Sequence, residues 1–207
     1  TQSRSINIYL QVSHNKTVLK LLFSYFLFQT ANFCGFAFIG TWFAKSYGLS
    51  IASIGSLVLI IGVGQLIGSL ISSRLVDQLT LPHAFLLEFL LFIGGYLILP
   101  FASTVITATL ILTFIYLIGG AIFPLFMSTL QSKAGNARGT IAALSNAAMY
   151  LGEAISGGIG GLLIKMFPGF YGIALFTAIG VALSMGLYAQ QGYFKKAKSE
   201  PHQPKIN

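Results

Sequence analysis

Residues 51–73 read IASIGSLVLIIGVGQLIGSLISS, with no charge, no proline and a single carboxamide, Gln65. A run of this length meets the roughly 20 apolar helical residues that a bilayer core of about 30 Å requires. Outward from it the same texture recurs along the chain. Spans are expected at about 21–44, 51–73, 84–102, 105–130, 139–165 and 169–191. Between them lie short breaks: Lys45 with Tyr47 to Ser50, then Arg74 to His83, residues 102–104, Ser132 to Arg138, and Phe167-Pro168-Gly169. Each is too short to be a domain. In lipid every backbone N–H and C=O must be paired within the protein, and runs this long and apolar can do so only as helices. The alternating ten-residue strands of a membrane barrel are absent. The fold class expected is therefore all-α integral membrane, with six transmembrane helices.

Composition agrees. Of 207 residues 55% are hydrophobic and 8% are charged, against about a quarter charged in soluble domains. The formal charge is +8, but its carriers sit on an apolar chain, which argues for a lipid bilayer as partner and against nucleic acid. The lone Cys34 lies inside an apolar run, so no disulfide framework or cysteine-based metal site is expected. No short charged-then-apolar leader precedes the first span, so no signal peptide is read. An even number of spans puts both termini on one side. That side carries Arg4, Lys16, Lys20, Arg74, Lys133, Arg138, Lys195, Lys196, Lys198 and Lys205, and the other only Lys45 and Lys165. The positive-inside rule then makes both termini cytoplasmic. Residues 1–20 read as a cytoplasmic lead-in, 21–191 as the bundle and 192–207 as a cytoplasmic tail. A cytoplasmic position leaves the sequon Asn15-Lys16-Thr17 inert.

Polar side chains at membrane depth are costly and tend to face a bundle interior or a wet cavity. In the first span Tyr25, Gln29, Asn32 and Phe36 fall along one helical face, and in the fifth Asn146, Tyr150, Glu153 and Gly157 repeat the same offsets. Two such stripes read as walls of a solute cavity, or as interhelical hydrogen bonds that hold a bundle together. Glu153 is a proton carrier on the first reading and a protonated, hydrogen-bonded packing residue on the second. Glu88, near the end of the third span, is expected to snorkel to the interface or to pair with a basic loop residue. Gln65 either joins the cavity or makes a helix contact, and Tyr116 either joins it or fills the bundle. Gly64 with Gly68, and Gly152, Ser156 and Gly160 with Gly157 and Gly161 beside them, are close-packing surfaces. Gly119-Gly120 and Pro124 are expected to bend the fourth span.

Enzymatic classes lack their parts. His14, His83 and His202 all lie in tails or loops, so no intramembrane serine–histidine dyad can be built. Phosphate-binding, dinucleotide and His-Glu-x-x-His motifs are missing. No cofactor or metal is expected, and the remaining classes are transporter, channel and assembly subunit.

Two stretches carry a family resemblance. Ser73-Arg74-Leu75-Val76-Asp77 resembles the Gly-Arg-Leu-x-Asp core of the cytoplasmic loop motif of the major facilitator superfamily, with serine where glycine is usual. Arg138-Gly139-Thr140 leading into Gly152-x-x-x-Ser156-Gly157-x-x-Gly160-Gly161 resembles that family's eleventh helix, with Ser156 and Gly157 replacing glycine and proline of the related antiporter motif. The resemblance is to the proton-driven drug and sugar efflux branch. It implies two six-helix halves, of which this chain is similar to helices seven to twelve: the fourth span lacks the arginine usual in the N-terminal half, and the Lys-rich tail looks like a protein's end. It further implies a cavity lined by the first, second, fourth and fifth spans, with the third and sixth outside as support. Partners would be an N-terminal six-helix half, a small-molecule solute and protons, in a bacterial inner membrane. Gln29, Asn32, Asn146 and Tyr150 would contact solute, Phe36 would give an apolar wall, and Glu153 would take the proton. Arg74 and Asp77 would form a cytoplasmic latch, beside the simpler readings of topology anchor and loop salt bridge. The rival is a six-span protein acting as a homo-oligomeric transporter or a non-transporting assembly subunit.

Overall fold

The computed structural model describes residues 14–135 and 137–194. The outer parts of the expected lead-in and tail, residues 1–13 and 195–207, lie outside the described residues. Six helical spans are present: Lys16–Tyr47, Ile51–Leu79, Leu81–Phe101, Val105–Ser132, Arg138–Met166 and Tyr171–Gln190. Among the described residues there is no strand.

Local chemistry sets the ends. Asn15, the sequon asparagine, caps the first helix by accepting from the Thr17 and Val18 N–H groups at 3.1 and 3.2 Å. Ser50 and Thr104 cap the second and fourth spans through the N–H groups of Ser53 and Thr107, each at 3.2 Å. Gly48, at φ 65°, ends the first span in the left-handed conformation that glycine adopts without steric cost.

Two expectations are corrected. The break read at Arg74 to His83 shrinks to one residue: the second helix runs to Leu79, the third starts at Leu81, and Thr80 at φ 67° makes the turn. The reason is that Leu75 and Val76 stay half-buried while Arg74, Asp77 and Gln78 extend into solvent from the helix end. The first span is divided at Phe38 into Lys16–Ala37 and Ile39–Tyr47, although no proline or glycine stands there. The Phe38 ring occupies the space beside Gly160, onto which a Cβ at Gly160 would collide. The fourth span carries Gly119, Gly120 and Pro124 within the helix Val105–Ser132.

The first and fourth spans form the centre. The fifth packs on the first and the second on the fourth, while the third and sixth pack on each other and on the fourth and first respectively. Burial follows this plan: 17% of the second and fifth spans is buried, against 44–56% of the other four. The core between the layers is aromatic. Phe126 meets Tyr25, Phe28, Phe85, Phe89 and Tyr188 at centroid distances of 5.6, 4.5, 5.1, 5.5 and 5.5 Å, joining the first, third, fourth and sixth spans.

Lipid tails are as apolar as leucine, so helices associate through close packing and hydrogen bonds. A Cβ on Gly68 would fall on the Leu117 carbonyl and one on Gly120 on the Gln65 carbonyl. Beside them the Ser72 hydroxyl donates to the Ala121 carbonyl at 2.7 Å. On the other flank Gly152 abuts Thr30 and Gly160 abuts Phe38. The sixth span is held by Thr177 and Ser184 donating to the carbonyls of Ala31 and Ser24 at 3.0 and 2.7 Å. A Gly68→Ala substitution is expected to destabilise the protein by about 1–3 kcal/mol through backbone separation. Gly186→Ala, in open space on the sixth span, is expected to be neutral or stabilising by up to about 1 kcal/mol. Thermal unfolding of the two variants in detergent measures the contrast.

Candidate functional site

A cavity of about 210 Å³ lies on the side of the bundle away from the third and sixth spans. Its lining comes from four spans: Phe28, Gln29, Asn32, Phe33 and Phe36 of the first, Gln65 of the second, Tyr116, Gly119 and Phe123 of the fourth, and Met149 of the fifth. Five of the eight residues expected at a cavity are brought together there, namely Gln29, Asn32, Phe36, Gln65 and Tyr116. A second recess of about 320 Å³ shares Gln65 and Phe123 and continues along Gly62, Leu66, Ser69 and Gly120.

The polar groups of the first span are held unequally. The Gln29 amide donates to the Tyr25 hydroxyl at 2.9 Å, so Tyr25, buried, supports the wall from behind. The Asn32 carbonyl oxygen is buried and carries no partner. Tyr116 shares a hydrogen bond of 2.9 Å with Tyr96 of the third span, and its ring meets Phe36 edge-on at 5.4 Å. The Tyr96 hydroxyl in turn occupies the place a Cβ at Gly35 would need, which is why glycine stands there. No charged side chain lines the cavity.

The fifth-span stripe stands differently. Asn146, Tyr150, Glu153 and Gly157 are all exposed, Tyr150 at 63%. They occupy the open face of the helix, about 90° around from the buried ridge of Gly152, Ser156 and Gly160. Met149, between ridge and stripe, reaches the cavity in their place. A Cβ at Gly157 would meet nothing within 4 Å, and at Gly161 only the Phe38 ring at 4.0 Å. Arg74 and Asp77 are exposed in the last two turns of the second helix, not in a loop.

Glu88 corrects its expectation outright. It is 2% exposed, and among the described residues it neither pairs with a basic group nor finds a hydrogen-bond partner for either buried carboxyl oxygen. Sequence reasoning also missed Phe28, Phe33, Phe123 and Met149 in the lining. The available signal was the adjacency of Phe28, Phe33 and Met149 to Gln29, Asn32 and Asn146 on neighbouring helical positions, and the place of Phe123 seven residues after Tyr116, but Phe and Met are equally good lipid-facing filler.

The Major Facilitator Superfamily model matches residues 21–206. This chain belongs to the major facilitator superfamily. It is 44% identical over 170 residues, 81% of its length, to the uncharacterized MFS-type transporter YceJ of Bacillus subtilis (strain 168). The match covers 43% of that relative, so the chain spans less than half the length of the curated protein it resembles. Membership makes the six spans an all-α integral membrane fold of one facilitator half, in a family of membrane transporters rather than enzymes.

The bond between Tyr96 and Tyr116 gives a direct expectation. Tyr96→Phe leaves the buried Tyr116 hydroxyl without its partner and is expected to destabilise by about 1–3 kcal/mol. Thermal midpoints of Tyr96→Phe and the double Tyr96→Phe/Tyr116→Phe variant check this: the double variant should recover part of the loss.

Proposed function

We propose that this chain is the C-terminal six-helix half of a proton-driven transporter that exports a small amphipathic or aromatic solute by alternating access. The observation that carries this reading is the incomplete cavity. At about 210 Å³ it is smaller than the about 300–1,000 Å³ typical of small-molecule sites. It is bordered by the two least-buried spans, which leave an apolar open face. An N-terminal half seated on that face would complete the site and cover Leu59, Leu66, Tyr150 and Leu151, all exposed in the single half. The 43% coverage of YceJ supports the same division.

In this reading Gln29, Asn32 and Gln65 offer hydrogen bonds to a polar group of the solute. Phe33, Phe36, Tyr116 and Phe123 stack on its apolar body. Asn146 and Tyr150 contact the solute from the fifth-span face once the companion half closes over it. Glu153, on that same face, takes a proton from one side and releases it to the other as the halves rock. Arg74 and Asp77 latch the end that carries the termini, where Asp77 meets the positive end of a companion helix. The excess of basic residues at that end supports cytoplasmic termini in a bacterial inner membrane. Residues 1–20 then end the central loop, 21–191 form the bundle, and 192–207 form the tail.

Proteoliposomes holding the full-length protein, with a panel of dyes and sugars and an imposed proton gradient, test the reading. Wild-type protein is expected to move an aromatic dye against its gradient. Glu153→Gln should abolish gradient-driven accumulation while retaining solute exchange. Asn32→Ala and Gln29→Ala should each raise KM about tenfold, a loss of about 1.4 kcal/mol of binding. Transport by wild-type and Glu153→Gln protein that ignores the proton gradient would refute the coupling.

A further inference from the structure

The proposed mechanism uses two of the three acidic residues of the spans, Asp77 in the latch and Glu153 as the proton carrier. The third, Glu88, sits in the supporting layer, seven residues from the start of the third span, about 10 Å of helix. On the helix it shares a side with Ala84 and Gly95, both buried, and Gly95 closes onto Ile115 of the fourth span. By antiparallel register Glu88, seven residues before Gly95, lies level with Ile122, seven residues after Ile115, and Ile122 is also buried.

Among the described residues no charge answers it there. The fourth span, Val105–Ser132, and the sixth, Tyr171–Gln190, contain no Asp, Glu, Lys, Arg or His. The fourth span's Tyr116 is bonded to Tyr96 of Glu88's own helix, and the sixth span's Tyr188 lies 3.4 Å from Thr129. Tyr193, just after the sixth span, has a buried hydroxyl without a partner. On the second span Arg74 and Asp77 are exposed. His83, on the third span's first turn, is exposed and bonded to Thr80 at 2.9 Å. On the first span Lys16 and Lys20 are exposed, and Tyr25 is bonded to Gln29. An isolated carboxylate in such surroundings would carry a large desolvation penalty, whereas a neutral carboxylic acid carries a far smaller one. A purely structural role would be filled better by leucine.

We propose that Glu88 is a proton-binding site of the supporting layer, separate from the solute cavity, neutral while the third and fourth spans are packed and ionised when they part. The O–H bond breaks as water enters from the terminus-bearing end. The proton passes to that water and the electron pair stays on the carboxylate, which is then hydrated. Release and uptake of one proton thereby accompany loosening and repacking of these two helices. The site does not depend on the assignment of Glu153, and failure of proton-driven transport would leave it standing.

The test uses the purified full-length protein. Its thermal midpoint is expected to fall by about 5 °C as pH rises from about 6 to about 9. Glu88→Gln and Glu88→Leu should each remove most of that slope while matching the wild type at the acid end. In infrared spectra at neutral pH a protonated-carboxyl absorption should be present in wild-type protein and in Glu153→Gln, and lost in Glu88→Gln. Identical pH slopes and identical carboxyl absorption in wild type and Glu88→Gln overturn the proposal. If neither Glu88 variant is recovered folded, the wild-type spectrum decides. A protonated-carboxyl band that disappears on unfolding at neutral pH supports the site, and its absence overturns it.

Discussion

The backbone-to-backbone contact between the second and fourth spans, where Gly68 lies against the Leu117 carbonyl and Gly120 against the Gln65 carbonyl, is the constraint on which the arrangement depends. Apolar burial cannot draw helices together inside a bilayer, because the lipid is an equally apolar solvent. What holds them is the density of dispersion contacts and a few hydrogen bonds to carbonyls, and both require helices that come closer than ordinary side chains permit. The chain places a glycine or a hydroxyl at each such point. Gly152 and Gly160 bring the fifth span onto the first, and Thr177 and Ser184 bind the sixth to the first. Two tight pairs result, and the fourth span meets the first across the aromatic core centred on Phe126.

That pairing also positions the cavity. The second and fifth spans each hang on one inner helix and use only a narrow ridge to do so, which leaves most of their circumference unoccupied. Between them the first and fourth spans present Gln29, Asn32, Phe36 and Tyr116. The wall is stiffened from behind, since Tyr25 holds Gln29 and Tyr96 holds Tyr116. Cavity-lining groups are thus anchored by hydroxyls that reach into the interior of the bundle. A shift of the third span would be transmitted to Tyr116 through a single hydrogen bond.

The span count and the supporting character of the third and sixth helices were legible in the sequence because hydropathy and the distribution of carboxamides follow directly from what lipid tolerates. Connections were less legible. In sequence a charged residue reads as the end of a membrane run, yet Arg74 and Asp77 sit on helix that continues to Leu79, since a long cationic side chain at a helix end can reach water. Helical periodicity correctly grouped Asn146, Tyr150, Glu153 and Gly157 on one face but could not say which way that face turned. The ridge of Gly152, Ser156 and Gly160 decides it. Phe33, Phe123 and Met149 were invisible as cavity residues because composition cannot separate a wall from lipid-facing filler. The division of the first span at Phe38 is tertiary in origin, since it accompanies the fit of one ring beside Gly160.

Glu88 and Glu153 show how much context adds to residue type. Both stand in apolar helices, and hydropathy treats them alike. Glu153 lies on a face that the single half leaves open, so its surroundings are set by whatever closes over the fifth span. Glu88 is already enclosed: its carboxyl is buried, no described residue bonds to it, and the fourth and sixth spans carry no charge. A carboxyl in the first position can meet solute and proton in the same space. One in the second can meet only a proton, and only when packing yields, so a proton bound there reports on the state of the helices rather than on the occupancy of the cavity.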